Sequence, residues 1–258
     1  MACMRTLLAL LTRLPVGYAS LDEVARCLHL VPLVGLIEAL IVSLAFILLL
    51  GNPGIAAAVY LVLHLLVTGG LHLDGFADYV DAIASGRRGL EAVRVMKDPR
   101  RGSLAAAALA IHSILVYASA STIASARLET ILAAMISSYT VACYTMVYLL
   151  AFTRPEPYAG MARALQEAAP KSITRAMIVT IACIALAALL DPLATATAVV
   201  TGIVTGEFVR RDVEKRVGFS TGDTAGFTYE TVRAVALLAA AIAVSAPLGL
   251  RPHIGLPP

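Results

Sequence analysis

The chain has 258 residues, of which 59% are hydrophobic and 14% are charged, whereas roughly 25% of residues are charged in typical soluble proteins. Its mean hydropathy is +0.85. These values exclude a soluble domain, a disordered chain, a fibrous repeat and a basic nucleic-acid-binding module, so no nucleic-acid partner is expected. The composition predicts an integral membrane protein, an all-α polytopic transmembrane bundle forming one domain over residues 1–258.

Apolar stretches of membrane-spanning length recur along the whole chain. A spanning helix needs about 20 mostly apolar residues. Residues 5–16 precede the first stretch and predict a helix lying in the membrane interface. Seven spans are predicted, in chain order at 28–50, 54–73, 103–126, 130–152, 173–190, 192–209 and 225–248.

The positive charges alternate between the loops that join these spans. The N-terminal segment and the loops 74–102, 153–175 and 210–224 hold 17 of the 20 Lys and Arg residues. Cationic loops resist translocation across the membrane. The pattern therefore predicts a multi-pass protein of the cell (inner) membrane with a cytoplasmic N-terminus, and with its polar loops and active site facing the cytoplasm.

Three carboxylates follow the second predicted span. With about 100° per residue, a helix that continues through residue 81 places Asp74, Asp78 and Asp81 within roughly a 60° arc. Three acids on one face repel one another unless a cation binds them, and Mg²⁺ prefers oxygen ligands of this kind. Gly75 allows a substrate or a neighbouring helix to approach the backbone. The pattern predicts a Mg²⁺ site for a diphosphate substrate, with a solvated helix face as the alternative.

Two further clusters lie beside membrane spans. Lys97, Arg100 and Arg101 flank Asp98 just before the third span, where they are typical either of a cytoplasmic anchor or of a phosphate-binding clamp. Asp223 and Glu230 are seven residues apart at the start of the last span, which predicts a second metal or base site. Gly222 and Gly226 are spaced for close contact between helices.

Several residues are interpreted as structural. Glu38 lies inside the first span and is expected to face the bundle interior. His64 and His112 are expected to be hydrogen-bonded core residues, and Tyr139 a packing residue. The four cysteines have no paired spacing and are expected to be small buried hydrophobes: Cys3, Cys27, Cys143 and Cys183.

The motifs GGLHLDGFAD at 69–78 and MKDPRRG at 96–102, with TGDTAGFTYE at 221–230, resemble the adenosylcobinamide-GDP ribazoletransferases, also called cobalamin-5′-phosphate synthases. The resemblance covers nearly the whole chain. It implies transfer of the adenosylcobinamide-phosphate moiety of adenosylcobinamide-GDP to α-ribazole or its 5′-phosphate, with release of GMP. The implied partners are these two substrates and the lipid bilayer, with a homo-oligomer also possible.

The resemblance also implies roles for individual residues. We expect Mg²⁺ to be held by Asp74, Asp78 and Asp81. Catalysis is expected to use Lys97, Asp98, Arg100 and Asp223, and substrate is expected to bind at His72, Gly75, Arg101 and Glu230. Asp98 and Asp223 are both candidates for the base that activates the attacking hydroxyl.

Two other functions stay open from the sequence alone. A CDP-alcohol phosphotransferase has a similar acidic core, but its motif has an Arg where this chain has Asp78. A transporter is expected to place polar groups at mid-membrane depth in several spans, whereas Glu38 is nearly alone in that position.

Overall fold

The computed structural model is all-helical across the residues that it describes, which are 2–18, 20–49, 51–100, 102–158 and 161–245. Within these ranges the elements are α1 (Ala2–Leu11), α2 (Leu21–Cys27), a 3-10 turn (Leu28–Leu30), α3 (Val31–Leu48), α4 (Pro53–Thr68), α5 (Leu71–Ser85), α6 (Leu90–Met96), α7 (Ser103–Ile123), α8 (Leu128–Phe152), α9 (Met161–Leu190), α10 (Pro192–Arg216) and α11 (Gly222–Ser245).

The number of membrane spans agrees with the sequence. Among the described residues, six helical segments are long and apolar enough to cross a membrane, and α4 with α5 makes a seventh if the bent pair is one span. The first segment, Leu21–Leu48, joins α2, the 3-10 turn and α3. The predicted all-α multi-pass bundle is confirmed, although residues 246–248 of the last predicted span lie outside the described residues.

Helix α8 forms the centre of the bundle, in contact with α3, α9, α10 and α11. Glycines bring two of these neighbours close. A Cβ atom on Gly35 of α3 would lie 2.6 Å from the carbonyl oxygen of Tyr139, and one on Gly202 of α10 would lie 2.6 Å from Cγ1 of Val141. Small residues at such contacts let helices pack closely inside a membrane.

The corner between α4 and α5 differs from the prediction. The expectation of a helix running unbroken from the second span through Asp81 was wrong, because α5 is turned by 92° from α4. Gly69 and Gly70 have φ values of 62° and 71°, in the left-handed region that glycine adopts without steric cost. The backbone N–H of Arg13 donates to the carbonyl of Val67 at 2.7 Å, which ties the N-terminal segment to this corner.

The cysteines correct a second expectation. Cys3 and Cys27 form a disulfide that joins α1 to α2, with their Cα atoms 5.4 Å apart. They are therefore not simple hydrophobes, and their separation of 24 residues matches no motif that the sequence displays. Cys143 and Cys183 are free and buried, as expected.

Candidate active site

Residues from all three predicted polar clusters, without Glu230, meet at one end of the bundle. A Cβ atom on Gly75 of α5 would lie 2.7 Å from the carbonyl oxygen of Asp223, at the start of α11. Nζ of Lys97 lies 2.7 Å from Oδ2 of Asp223, and the backbone N–H of Gly102 donates to Oδ2 of Asp81 at 2.8 Å. These contacts join α5, the loop between α6 and α7, and α11 into one polar surface, here called the acidic face.

The carboxylates of α5 differ in exposure along this face. Asp74, Asp78 and Asp81 all lie within the continuous helix α5, so their spacing places them on one side of it. Asp74 is exposed, Asp81 is half-buried and Asp78 is 7% exposed. Within the described ranges, no three His, Cys, Asp or Glu side chains are arranged to hold a metal ion. The acids thus form an open face without a closed coordination site.

An open face of this kind is chemically suited to Mg²⁺. That ion commonly takes only one or two protein carboxylates and completes its shell with water and substrate phosphates. The oxygen donors of α5 match this preference, with Asp74 accessible from outside the protein.

The described cations of the acidic face are paired with acids. Arg100 donates from Nε and Nη2 to Asp98 at 3.0 and 2.7 Å. These side-chain bonds, with a further bond from the backbone N–H of Arg100, lower the pKa of Asp98 to about 2. Lys97 is paired with Asp223, and Arg101 lies outside the described residues. A phosphate that binds Lys97 or Arg100 would replace a carboxylate that is already in contact.

The contact between α5 and α11 depends on one of the two predicted glycines. A Cβ atom on Gly226 would lie 3.1 Å from the carbonyl oxygen of His72, which confirms the predicted close approach. The same prediction was wrong for Gly222. This residue is the exposed first residue of α11, and a Cβ atom added to it would have no heavy atom within 4 Å. The ring of His72 is buried, 4.2 Å from the ring of Tyr229. Its role in substrate binding stays a prediction.

Glu230 lies deeper in the bundle than its predicted place at the membrane surface. It is 0% exposed. Its Oε1 atom contacts Nε2 of His64 at 3.0 Å, and Oε2 contacts Nε2 of His112 at 3.1 Å and Nη2 of Arg233. Glu230 therefore connects α4, α7 and α11 inside the bundle, and its predicted contact with substrate stays a prediction.

The surrounding side chains extend this arrangement, here called the buried network. Nη1 of Arg233 donates to the hydroxyl of Tyr60 at 2.6 Å, and the hydroxyl of Tyr139 lies 3.0 Å from Nδ1 of His64. The hydroxyl of Tyr229 donates to Glu38. The expected interior position of Glu38 and the hydrogen-bonded core histidines are confirmed, whereas Tyr139 is a hydrogen-bonding residue as well as a packing residue.

One assignment of protons satisfies the centre of the buried network. An ionised Glu230 only accepts hydrogen bonds, so Nε2 of both His64 and His112 must donate to it. Nδ1 of a neutral His64 then accepts from Tyr139, whose oxygen lies close to it. The charge of Arg233 balances that of Glu230, as a buried ion pair requires. Sequence reasoning missed Arg233, although a cation within an apolar span is itself a signal of a paired interior site.

Comparison with known proteins places the chain in a family. The sequence model described as cobalamin-5-phosphate synthase matches residues 3–241. The chain belongs to the cobalamin-5-phosphate synthase family. No solved structure matches it.

Several curated relatives in this family carry the same name. A protein of Ectopseudomonas mendocina named adenosylcobinamide-GDP ribazoletransferase is 33% identical, over 93% of this chain and 98% of its own length. Proteins of that name from Stutzerimonas stutzeri and Pseudomonas putida are 33% and 32% identical, covering 92% and 91% of this chain and 96% of each relative. The similarity therefore includes all of the segments that form the acidic face.

Proposed function

We propose that the protein transfers the adenosylcobinamide-phosphate moiety of adenosylcobinamide-GDP to α-ribazole or its 5′-phosphate, producing adenosylcobalamin or its 5′-phosphate and GMP. The observation that carries this proposal is the membership of the family along nearly the whole chain. The acidic face supports it, because carboxylates and cations for a diphosphate substrate meet there.

The reaction is a displacement at phosphorus. The 3′-hydroxyl oxygen of the ribose forms a bond to the phosphorus attached to cobinamide, and the bond from that phosphorus to the oxygen of the departing GMP breaks. The hydroxyl proton passes to a carboxylate. Asp223 is the better candidate than Asp98, because a carboxyl with a pKa of about 2 is a weak base at neutral pH.

The cations of the acidic face are proposed to bind the leaving phosphate. Lys97 and Arg100 are exposed over 62% and 87% of their side chains, so both can turn from their carboxylate partners toward a substrate. Transfer of Lys97 to the phosphate releases Asp223 to accept the proton. Arg101 is proposed to assist in the same binding.

Mg²⁺ is the proposed cofactor, held by one or two carboxylates of the set Asp74, Asp78 and Asp81, with water and substrate phosphate as its other ligands. When bound, the ion neutralises charge on the diphosphate and on the departing GMP. The chain itself contributes the open carboxylate face. Because Gly75 has no side chain, the backbone of Asp223 can approach α5 closely at that point.

Release of GMP by the purified protein tests this function. We expect GMP only when adenosylcobinamide-GDP and α-ribazole or its 5′-phosphate are both present, and no GMP when a chelator is in excess. Restored activity on adding Mg²⁺ back is the control for damage by the chelator. Absence of GMP under all conditions with folded protein would refute the proposed activity, and full turnover in chelator would refute the cofactor alone.

The acidic face is proposed to lie on the cytoplasmic side of the inner membrane. The support is the concentration of 17 of the 20 Lys and Arg residues in the N-terminal segment and the three loops on that side. Single cysteines in 83–95, 156–158 and 211–217 should react with a membrane-impermeant reagent only from the cytoplasm. Labelling from outside in intact cells would reverse the orientation.

A further inference from the structure

A cavity of about 200 Å³ lies between α4, α5, α7 and α11. Its wall is aliphatic on α4 and α5, and polar at four residues, which are His64, His112, Ser113 and Arg233. Drug-sized ligands occupy pockets of about 300–1,000 Å³, so this cavity suits one ring system and not a whole nucleotide.

The cavity adjoins the acidic face. Leu73 immediately precedes Asp74 on α5, at the crossing of α5 with α11 near Gly226. Arg233 is seven residues further along α11, which is about 10 Å at 1.5 Å per residue. The cavity thus extends from the level of the proposed reaction into the apolar part of the bundle.

One residue of the polar wall carries a buried hydrogen-bond donor without an acceptor. Among the described residues, Nε of Arg233 is buried with no acceptor, while Nη1 and Nη2 bind Tyr60 and Glu230. A buried donor without an acceptor is unfavourable. A guanidinium also stacks well on flat aromatic rings. The wall therefore favours a flat, mainly apolar ligand that brings an acceptor atom.

We infer that this cavity binds the aromatic base of the nucleoside acceptor and places its ribose hydroxyl beside Asp74. The inference rests on the proposed function. The base of α-ribazole is a methylated benzimidazole, an apolar bicyclic ring with one acceptor nitrogen. The guanine of the donor has several polar edge groups that the leucines of the wall leave unpaired, and the corrin ring is too large.

Two neighbouring leucines of α4 allow a matched test. Leu65 lines the cavity and is 49% exposed, whereas Leu66 is 64% exposed and does not line it. Leu65→Phe should raise the KM for α-ribazole by about 10-fold or more, the scale on which a pocket discriminates small changes in ring size. The KM for adenosylcobinamide-GDP and all constants of Leu66→Phe should stay within about 2-fold of wild type.

Binding without turnover separates this inference from the proposed function. The chain has no Trp, so benzimidazole fluorescence can be titrated against the detergent-solubilised protein without donor or metal. We expect a dissociation constant for α-ribazole that rises in Leu65→Phe and not in Leu66→Phe. Leu65→Ala, which enlarges the cavity, should shift the preference toward acceptors with larger bases, even if the Phe variant folds poorly.

Three results would overturn the inference. Equal α-ribazole affinity in all variants, with normal turnover by the wild type, would leave the function intact and exclude the cavity. A selective rise in the KM for adenosylcobinamide-GDP would assign the cavity to guanine. Activity of delipidated protein that depends on added phospholipid, with this dependence lost in Leu65→Phe, would assign it to a lipid chain.

Discussion

The acidic face and the buried network both consist of charged side chains contributed by α11 and its neighbours, but they differ in how those charges are satisfied. On the acidic face, Lys97 and Arg100 are largely exposed and their partners can be exchanged for a substrate. In the buried network, Glu230 and Arg233 are at most 1% exposed. The first region is suited to binding and release, and the second links α3, α4, α7, α8 and α11 inside the bundle.

The largest effect is expected from breaking the buried network. Arg233→Met leaves Glu230 without its cationic partner, and removal of one member of a buried ion pair costs about 3–5 kcal/mol of unfolding free energy. Unfolding in one detergent, monitored by temperature or denaturant, measures the loss. Arg127→Met, at an exposed site on the opposite end, is the control. The double variant Arg233→Met with Glu230→Gln should recover part of the stability, and an undiminished single variant would contradict the stabilising role.

On the acidic face, Asp74→Asn should reduce GMP release by at least about 100-fold, the scale expected when stabilisation of charge at a reacting centre is lost. Its unfolding midpoint should match that of the wild type, because Asp74 is exposed. Glu129→Gln, at an exposed acid on α8, is the matched control. Wild-type rates for Asp74→Asn would remove this carboxylate from the site.

The crossing that links the two regions can be tested at its glycines. Gly226→Leu should destabilise the protein by about 1–3 kcal/mol, as overpacking does, and also slow GMP release by separating α5 from α11. Gly222→Leu should do neither, because nothing lies within 4 Å of that position. Equal effects of the two substitutions on stability and rate would contradict the crossing at Gly226.

The smallest effect is expected from Asp98→Asn on the pH dependence of kcat/KM. The pKa of Asp98 is lowered to about 2 by Arg100, so the ion pair is fully formed above about pH 4 and is lost only as the pH falls from about 4 toward 2. If kcat/KM falls on the acidic side between pH 7 and 5, Asp98→Asn should therefore leave that part of the pH profile unchanged. A shift of that part would assign the titrating base to Asp98.

The two regions also differ in how well the sequence predicted them. The number of spans and the position of the three acids of α5 on one helical side depend on local composition and helical spacing, and the sequence predicted both, although it missed the bend between α4 and α5. The buried network joins residues from α3, α4, α7, α8 and α11, so its partners were not identifiable from spacing within one helix. The contact of Cys3 with Cys27 and the different surroundings of Gly222 and Gly226 likewise depend on how separate helices pack.

The sharp bend at Gly69 and Gly70 determines how the reactive groups are distributed in depth. Asp74 and Asp81 are seven residues apart, which is about 10 Å along a helix. Had α5 continued in line with α4, that length would have run along the span, with each carboxylate at a different level. The 92° turn instead lays the three acids side by side across the end of α4, so that the proposed diphosphate substrate would lie along them without entering the bundle.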